Sequence, residues 1–208
     1  MGRYTGPVCR LCRREGEKLF LKGNRCTSPK CPLAKRAYAP GQHGSARIKL
    51  SNYGVQLREK QKVKRMYGIM EKQFRLYFHT ASKTKGVTGK VLLQLLERRL
   101  DNVIFRLGLG VSRAQARQLV RHNFVWVNSR RVNIPSFLVG QDDIIEVKPK
   151  ERSKEKIKEI LEQSKERGVP SWLEFASQDL KARVTRLPEK SDITSTIQEQ
   201  LIVELYSK

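Results

Sequence analysis

The chain has 208 residues, with 43 Lys and Arg against 20 Asp and Glu, a formal charge of +23 at neutral pH. That length gives one large or two modest domains with a true hydrophobic core, and the charge repels itself in a compact state unless a polyanion accepts it. There is no apolar run near the roughly 18 residues that cross a bilayer, no signal-peptide core and no long basic amphipathic segment, so a cytoplasmic nucleic-acid-binding protein is expected and a membrane partner is not.

The charge is uneven. Residues 1–50 carry 12 basic and 2 acidic side chains and 51–100 carry 12 and 3, whereas 151–208 carry 11 of each. All four cysteines fall in the first 31 residues, as Cys9-x2-Cys12 and Cys26-x4-Cys31. Two close pairs joined by such a loop can place four thiolates at the corners of a tetrahedron, which is what a structural zinc site requires. Arg10, Arg13, Arg14, Arg25 and Lys30 surround the pairs and favour the thiolate form. An iron–sulfur cluster uses the same four ligands and stays open as the alternative, while disulfides fit poorly with a cytosolic chain. A metal ligated wholly by protein has no open position for a substrate, so its expected task is to fold the arm.

Residues 32–54 are broken by Pro32, Pro40, Gly41, Gly44 and Gly54. The run Pro40-Gly41-Gln42-His43-Gly44 is a turn sequence, followed by Arg47 and Lys49, with Tyr38 and Tyr53 offering stacking faces. A flexible linker is the competing reading. From about Val55 the pattern is helical, with Val55, Leu57, Val63, Met66 and Tyr67 apolar, Arg58, Lys60, Lys62, Lys64 and Arg65 interspersed, and Gly68 as a stop. A second helix over 71–82 carries Phe74, Leu76, Tyr77 and Phe78 as expected core residues, with Lys72 and Arg75 outside. Thr88-Gly89-Lys90 lacks the full phosphate-loop spacing and no apolar strand precedes it, so no nucleotide or other small-molecule substrate is assigned there.

Thr88 caps a helix whose apolar face is Leu92, Leu95, Leu96 and Leu100. Asp101 starts a short continuation to Leu107, ended by Gly108 and Gly110. Ser112 and Gln115 form a capping box opening a helix at Arg113. At 100° per residue, Arg113, Arg117 and Arg121 fall within about 80° of arc, beside an apolar stripe of Ala116, Leu119 and Val120. Alone, that face is equally a solvated surface or an RNA surface. Strands are expected over 124–127, 131–134 and 144–147, with turns near Asn128-Ser129 and Gly140 to Asp143. Residues 154–167 look like a solvated mixed-charge helix. Trp172, Leu173 and Phe175 should dock on the sheet, 182–187 alternates as a further strand, and the apolar stretch 201–206 needs a cover.

Leu96–Val103, Ser112–Val120, Val127-Asn128 and Val132–Ser136 closely resemble the small-subunit ribosomal protein S-four family of bacteria and the RNA-binding module named after it. The likeness also takes in the Cys9 to Cys31 pattern, Ala39–Gly44, Leu57–Val63, Glu71–Arg75 and the ending Leu201–Lys208. The module alone also occurs in pseudouridine synthases, tyrosyl-tRNA synthetases and heat-shock RNA-binding proteins. The resemblance implies a structural, non-enzymatic constituent of the small ribosomal subunit that binds 16S rRNA directly at a multi-helix junction and nucleates assembly of the subunit body. It further implies contact with ribosomal proteins five and twelve, a part in translational accuracy, and placement of Arg47 and Lys49 near the path by which mRNA enters. This chain departs from the family where a glycine is usual, at Asn123 and Ser129, and in the turn 140–143. Asn tolerates a left-handed backbone and Ser does so less well, so the hairpin turn is expected to be strained or of another type.

The fold class expected is α+β. A metal-bound arm and basic loop occupy 1–45, an all-helical subdomain 46–98 is completed by the tail 189–208, and an RNA-binding module over 99–188 joins two helices to a small antiparallel sheet. Candidate RNA-binding residues are Gln42, His43, Arg47, Lys49, Arg58, Lys62, Arg65, Arg99, Arg113, Gln115, Arg117, Arg121, His122, Asn128 and Arg131. The alternatives are an RNA-modifying enzyme built on the same module, for which no clustered carboxylates or open metal position are visible, and a zinc-dependent DNA-binding regulator, for which no finger-type helix or dimer element is visible.

Overall fold

The computed structural model describes residues 3–46, 49–149, 151–164, 167–193 and 196–207, and no helix among them is long and apolar enough to cross a membrane. The chain forms two compact units, one of residues 1–92 with 195–208 and one of 93–194.

The first unit is helical. It contains α1 (Cys9–Glu15), a 3-10 turn (Gly23–Cys26), α2 (Pro32–Lys35), α3 (Asn52–Met66), α4 (Glu71–Lys83), the start of α5 (Thr88–Glu97) and the terminal α9 (Glu199–Tyr206). Helix α3 begins where the Ser51 hydroxyl accepts the Gly54 N–H at 3.2 Å. It ends at Gly68 (φ 63°), where the N–H groups of Gly68 and Ile69 close back on the carbonyls of Arg65 and Lys64, a Schellman motif that a residue without a Cβ adopts at no steric cost. The core gathers Val63, Met66, Tyr67, Phe74, Tyr77, Ala81 and Leu92 with Ile202 of the last helix, all buried. Leu76, expected inside, is exposed. It sits two residues from Phe74, 200° around the helix, and so on the opposite face.

The cover for the apolar chain end is α3 and α4. Ile202 is fully buried, Gln56 Nε2 donates to Glu204 at 2.8 Å, and the Tyr206 ring lies 4.6 Å from that of Phe78. One carboxylate fastens this corner. Glu71 accepts from Lys60 Nζ at 2.9 Å on both oxygens, from Lys64 Nζ at 2.9 Å and from the Tyr206 hydroxyl at 2.8 Å. Burial pushes the carboxyl pKa of Glu71 up, but the bonds from Lys60, Lys64 and Tyr206 outweigh it and hold it at about 2. The same burial and the Glu71 bond push the Tyr206 hydroxyl up.

The second unit is mixed. After the rest of α5 come α6 (Leu100–Arg106), α7 (Arg113–Arg121), β1 (Val125–Val127), β2 (Arg130–Arg131), β3 (Ile144–Val147), α8 (Glu151–Ser164), β4 (Leu173–Ala176) and β5 (Lys181–Val184). The strands pair antiparallel in the order β2-β1-β3-β5-β4. Val127 stands opposite Ile145 and Ile145 opposite Ala182. That row faces a core with Val103, Ile104, Val120, Val139, Ile157 and Trp172. The first N–H groups of α6, which no helix satisfies internally, are taken by the carbonyls of Phe137 and Pro135 at 2.8 and 3.2 Å.

Three expectations change here. The segment with Leu173 and Phe175, expected to dock on the sheet, is itself its edge strand β4. The second strand is only Arg130–Arg131, with the Val132 N–H making one further bond to the Val125 carbonyl at 3.0 Å. Helix α8 is not wholly solvated: Ile157 is buried and Leu161 packs on the core, a narrow apolar edge at i, i+4 spacing. The family's missing glycines are met by strain. Asn128 (φ 49°) and Ser129 (φ 62°) both take positive φ, as the two central residues of a type I′ hairpin turn require, at a cost of about 1–2 kcal/mol for a residue such as Ser129. Asn123 (φ 65°) closes α7 as a glycine would, its N–H and that of Phe124 returning to the carbonyls of Val120 and Leu119.

With a folded-state value near 2 below an unfolded one of about 4.3, Glu71 contributes stability that is fully present above the unfolded value and lost as pH falls through the folded one. Glu71→Gln should therefore lower stability at neutral pH by about 1–2 kcal/mol, after discounting for partial exposure, and the gap from the parent should close between about pH 4.5 and pH 2. Melting temperatures of both chains across that range check it. A gap that stays constant with pH contradicts the assignment.

Candidate nucleic-acid interface

The arginine helix is bound to its neighbour through buried charge. Arg99 is 1% exposed and grips Asp101 in a fork, Nε to Oδ1 at 3.0 Å and Nη2 to Oδ2 at 2.7 Å. Arg117, from α7, donates to the same Oδ2 at 3.1 Å. Glu97 is likewise buried and holds Arg106 in a second fork at 3.0 and 2.7 Å. Asn102 Nδ2 donates to Glu97 at 2.7 Å, while its Oδ1 accepts from Arg113 Nε at 2.8 Å. Phe105 carries the Arg113 guanidinium 4.5 Å from its ring centre and that of Arg167 at 4.9 Å, a cation–π arrangement. Arg167 also bonds the Gly110 carbonyl and the Ser164 hydroxyl. Arg99 is thus corrected from a candidate RNA contact to a structural residue, because a buried guanidinium forked onto a carboxylate does not meet a phosphate. Arg113 and Arg117 are half-buried and spend N–H groups inside the unit. The capping box forms with a shift: Ser112 Oγ accepts the Gln115 N–H at 3.4 Å, and Gln115 Oε1 accepts from Val111 rather than Ser112, at 2.8 Å.

What this unit presents outward lies at the end of α7 and on the outer face of the sheet. Arg121, His122, Arg130 and Arg131 are exposed. Arg131 stands opposite Trp126, and Lys148 lies 4.5 Å over the Trp126 ring. Glu146, on the other side of Trp126, pairs with Lys148 and Lys181 at 3.0 and 3.3 Å. The Lys148 bond chiefly holds its carboxyl below the ordinary value. Arg130, Lys148 and Trp126 were missed in the sequence reading. The alternation with Val125 and Val127, both buried, carried the signal for Trp126. Asn128 is exposed, but its side chain ties the hairpin to β3, accepting from the Ile144 N–H at 2.9 Å and donating to Asp143 at 2.7 Å.

In the helical unit, three candidates brace the arm. Glu15, at the end of α1, accepts from Arg58 at 3.4 Å and from Arg65. Burial raises its pKa, with Arg58, Arg65 and Arg14 opposing. Lys62 meets Glu17 and Glu59 at 3.3 and 3.0 Å and the Thr196 carbonyl at 2.9 Å. The loop beyond the arm is held by α1: Arg13 donates to the carbonyls of Tyr38 and Ala39 at 3.0 and 3.4 Å, and Arg14 to that of Pro40 at 3.4 Å. The close approach that Gly44 permits is to the chain itself, since a Cβ there would stand 1.8 Å from the Ala39 oxygen. Gln42, His43 and Lys49 are exposed, as are Lys72, Lys83, Lys85 and Lys90, which are not among the candidate RNA-binding residues read from the sequence. Arg47 lies outside the described residues.

The four thiols are uncrosslinked, with Cys12, Cys26 and Cys31 buried and Cys9 half-buried. Burial pushes the Cys12 and Cys26 thiols up, and each also feels the other cysteines. Backbone N–H groups oppose this: Leu19 on the Cys12 sulfur, and Leu21 and Lys22 on that of Cys26, the last at 3.3 Å. Soft sulfur donors of this kind suit zinc or an iron–sulfur cluster. Among the described residues, no group of three or more His, Cys, Asp or Glu stands ready at metal-ligand spacing.

Residues 3–97 match the family described as Ribosomal protein S4/S9 N-terminal domain, and residues 98–145 match the S4 domain. Along all 208 residues the chain is 59% identical to the small ribosomal subunit protein uS4 of Pelotomaculum thermopropionicum, covering 100% of both chains. It is 60% identical to that of Thermoanaerobacter sp. strain X514 and 59% to that of Geobacter sp. strain M21, again over 100% of each. The match spans the whole chain, and the chain belongs to the small ribosomal subunit protein uS4 family.

Proposed function

We propose that the chain is a structural constituent of the small ribosomal subunit that binds 16S rRNA directly and nucleates assembly of the subunit body. The observation that carries this reading is the end-to-end identity with uS4 relatives. The excess of positive charge in the first hundred residues supports it. In this reading, Arg and Lys contacts to phosphate provide most of the affinity and recognition rests on RNA shape. Its place of action is the cytoplasmic ribosome. The finer partners, ribosomal proteins five and twelve and mRNA beside the loop of Gln42, His43 and Lys49, follow from the family resemblance, as does a part in decoding accuracy. The division of labour proposed is an arm and basic loop over 1–45, helices over 46–98 with the tail, and the module over 99–188.

Geometry sorts the candidate contacts. Arg121, His122, Arg130, Arg131 and Lys49 are exposed and are assigned to RNA. Arg58, Lys62, Arg65, Arg113, Gln115 and Arg117 carry internal bonds and act at the RNA surface only through the groups those bonds leave outward. Zinc, with an iron–sulfur cluster as the alternative, would be held by Cys9, Cys12, Cys26 and Cys31. It would supply no reaction, only a crosslink that folds the arm.

Replacing Arg121, Arg131 and Lys49 with Gln, one at a time, should weaken binding to a fragment of the 16S rRNA 5′ domain. Each should lower the slope of log affinity against log salt by roughly 0.7–0.9. Arg117→Gln should instead lower the melting temperature, because it strips one partner from a buried carboxylate. Slopes unchanged in all three exposed variants would overturn the assignment. Separately, metal analysis of anaerobically purified protein should return about one zinc per chain, or iron with acid-labile sulfide for the alternative. Chelation should lower the arm's helical signal, and protein free of both metals would remove the proposed site.

A further inference from the structure

Phe20 is set apart from the other phenylalanines. It is 48% exposed, whereas Phe74 is buried and Phe78, Phe105, Phe124, Phe137 and Phe175 are at least half-buried. Its backbone holds φ 50°, a strained conformation for a bulky L residue that marks functional sites when the surroundings impose it. The surroundings here do impose it. Leu19, one residue before, is buried at 1% exposure. Lys22, two residues after, gives its N–H to the Cys26 sulfur at 3.3 Å. The turn is therefore held before Phe20 by the burial of Leu19 and after it by the Lys22–Cys26 bond, and the ring between them is left exposed. The exposed ring gains little from burial, while its positive φ opposes folding. Lys18 and Lys22, both exposed, flank it. A bare aromatic face between two cations, in a segment carrying 12 basic and 2 acidic side chains over its first fifty residues, is complementary to an unstacked nucleobase between two phosphates.

We infer that Phe20 is a base-stacking residue, on which an unpaired rRNA base rests while Lys18 and Lys22 meet the adjoining phosphates, and that the turn anchored by Leu19 and Cys26 keeps this ring exposed. The inference rests on the RNA-binding reading above and names a contact that reading leaves unassigned.

The test uses the full chain and the same 16S rRNA fragment. Phe20→Leu, which keeps an apolar side chain but loses the π face, should weaken binding by roughly 10- to 100-fold with the salt slope unchanged, because no phosphate contact is lost. Phe20→Trp should restore affinity, and its fluorescence should be quenched on adding RNA. Lys18→Gln and Lys22→Gln should lower the slope. Phe20→Gly, relieved of the backbone strain, should melt no lower than the parent while binding as weakly as Phe20→Leu, which separates stacking from a folding role. Parent-like affinity in Phe20→Leu, or a Trp variant whose emission ignores RNA, overturns the inference while leaving the RNA reading standing. A parent chain that fails to bind the fragment overturns both.

Discussion

The second unit depends on one carboxylate shared by two guanidinium groups. Asp101 is buried with Arg99 forked onto it and Arg117 reaching in from α7. Removing such charges from water costs several kcal/mol each and is tolerated only where geometry and remaining hydrogen bonds are satisfied. That demand fixes α7 against α6. The Arg106–Glu97–Asn102–Arg113 chain of bonds repeats it nearby. Because β1 follows α7 after only a short Asn123 turn, the register of the hairpin and the outward aim of Trp126 and Arg131 follow from the same pairing. The buried ions select one arrangement of the helices more than they add to stability, since well-packed apolar residues serve stability as well.

The helical unit uses the same device with different parts. Glu71 gathers Lys60, Lys64 and Tyr206, so the last helix is fastened to residues more than a hundred positions earlier. Glu15 joins the arm to α3 through Arg58 and Arg65. In both units, arginines and lysines that look like a solvent-facing basic surface in one dimension are partly consumed as internal ties. The cations that remain outward, in the loop by Lys49, around α4 and along the β1–β2 hairpin, are those free of such ties or on the far side of them. A strongly basic chain therefore keeps itself compact by pairing an inner subset of its charges and leaves the outer subset for a polyanion.

Much of this was legible in the sequence where a local rule governs it. The Ser112 cap, the Gly68 and Gly108 stops, the β1 and β3 alternation and the need to cover residues 201–206 all rest on backbone hydrogen bonds or on periodicity, which short stretches encode. The family's glycine positions taken by Asn123 and Ser129 signalled a left-handed backbone, and both adopt it. What could not be read was which charges turn inward. Arg113, Arg117 and Arg121 share one helix face, yet Arg113 and Arg117 bond to Asn102 and Asp101 on another helix while Arg121 is exposed. Edge strand β4 was missed for a related reason: Leu173–Ala176 is too short to alternate visibly, and its pairing partner β5 is what makes it a strand. Phe20 went unremarked because a single aromatic in a cysteine-rich turn has no period to break.

The central claim, that this chain is built into the small ribosomal subunit through contacts with its RNA, is tested most directly by sedimentation. Cell extract containing the full-length chain, run on a sucrose gradient in high salt, should show it travelling with the small subunits, since a protein held through many simultaneous contacts dissociates slowly even when individual phosphate contacts are screened. Recovery of the chain at the top of the gradient, free of the small subunit, would contradict the account.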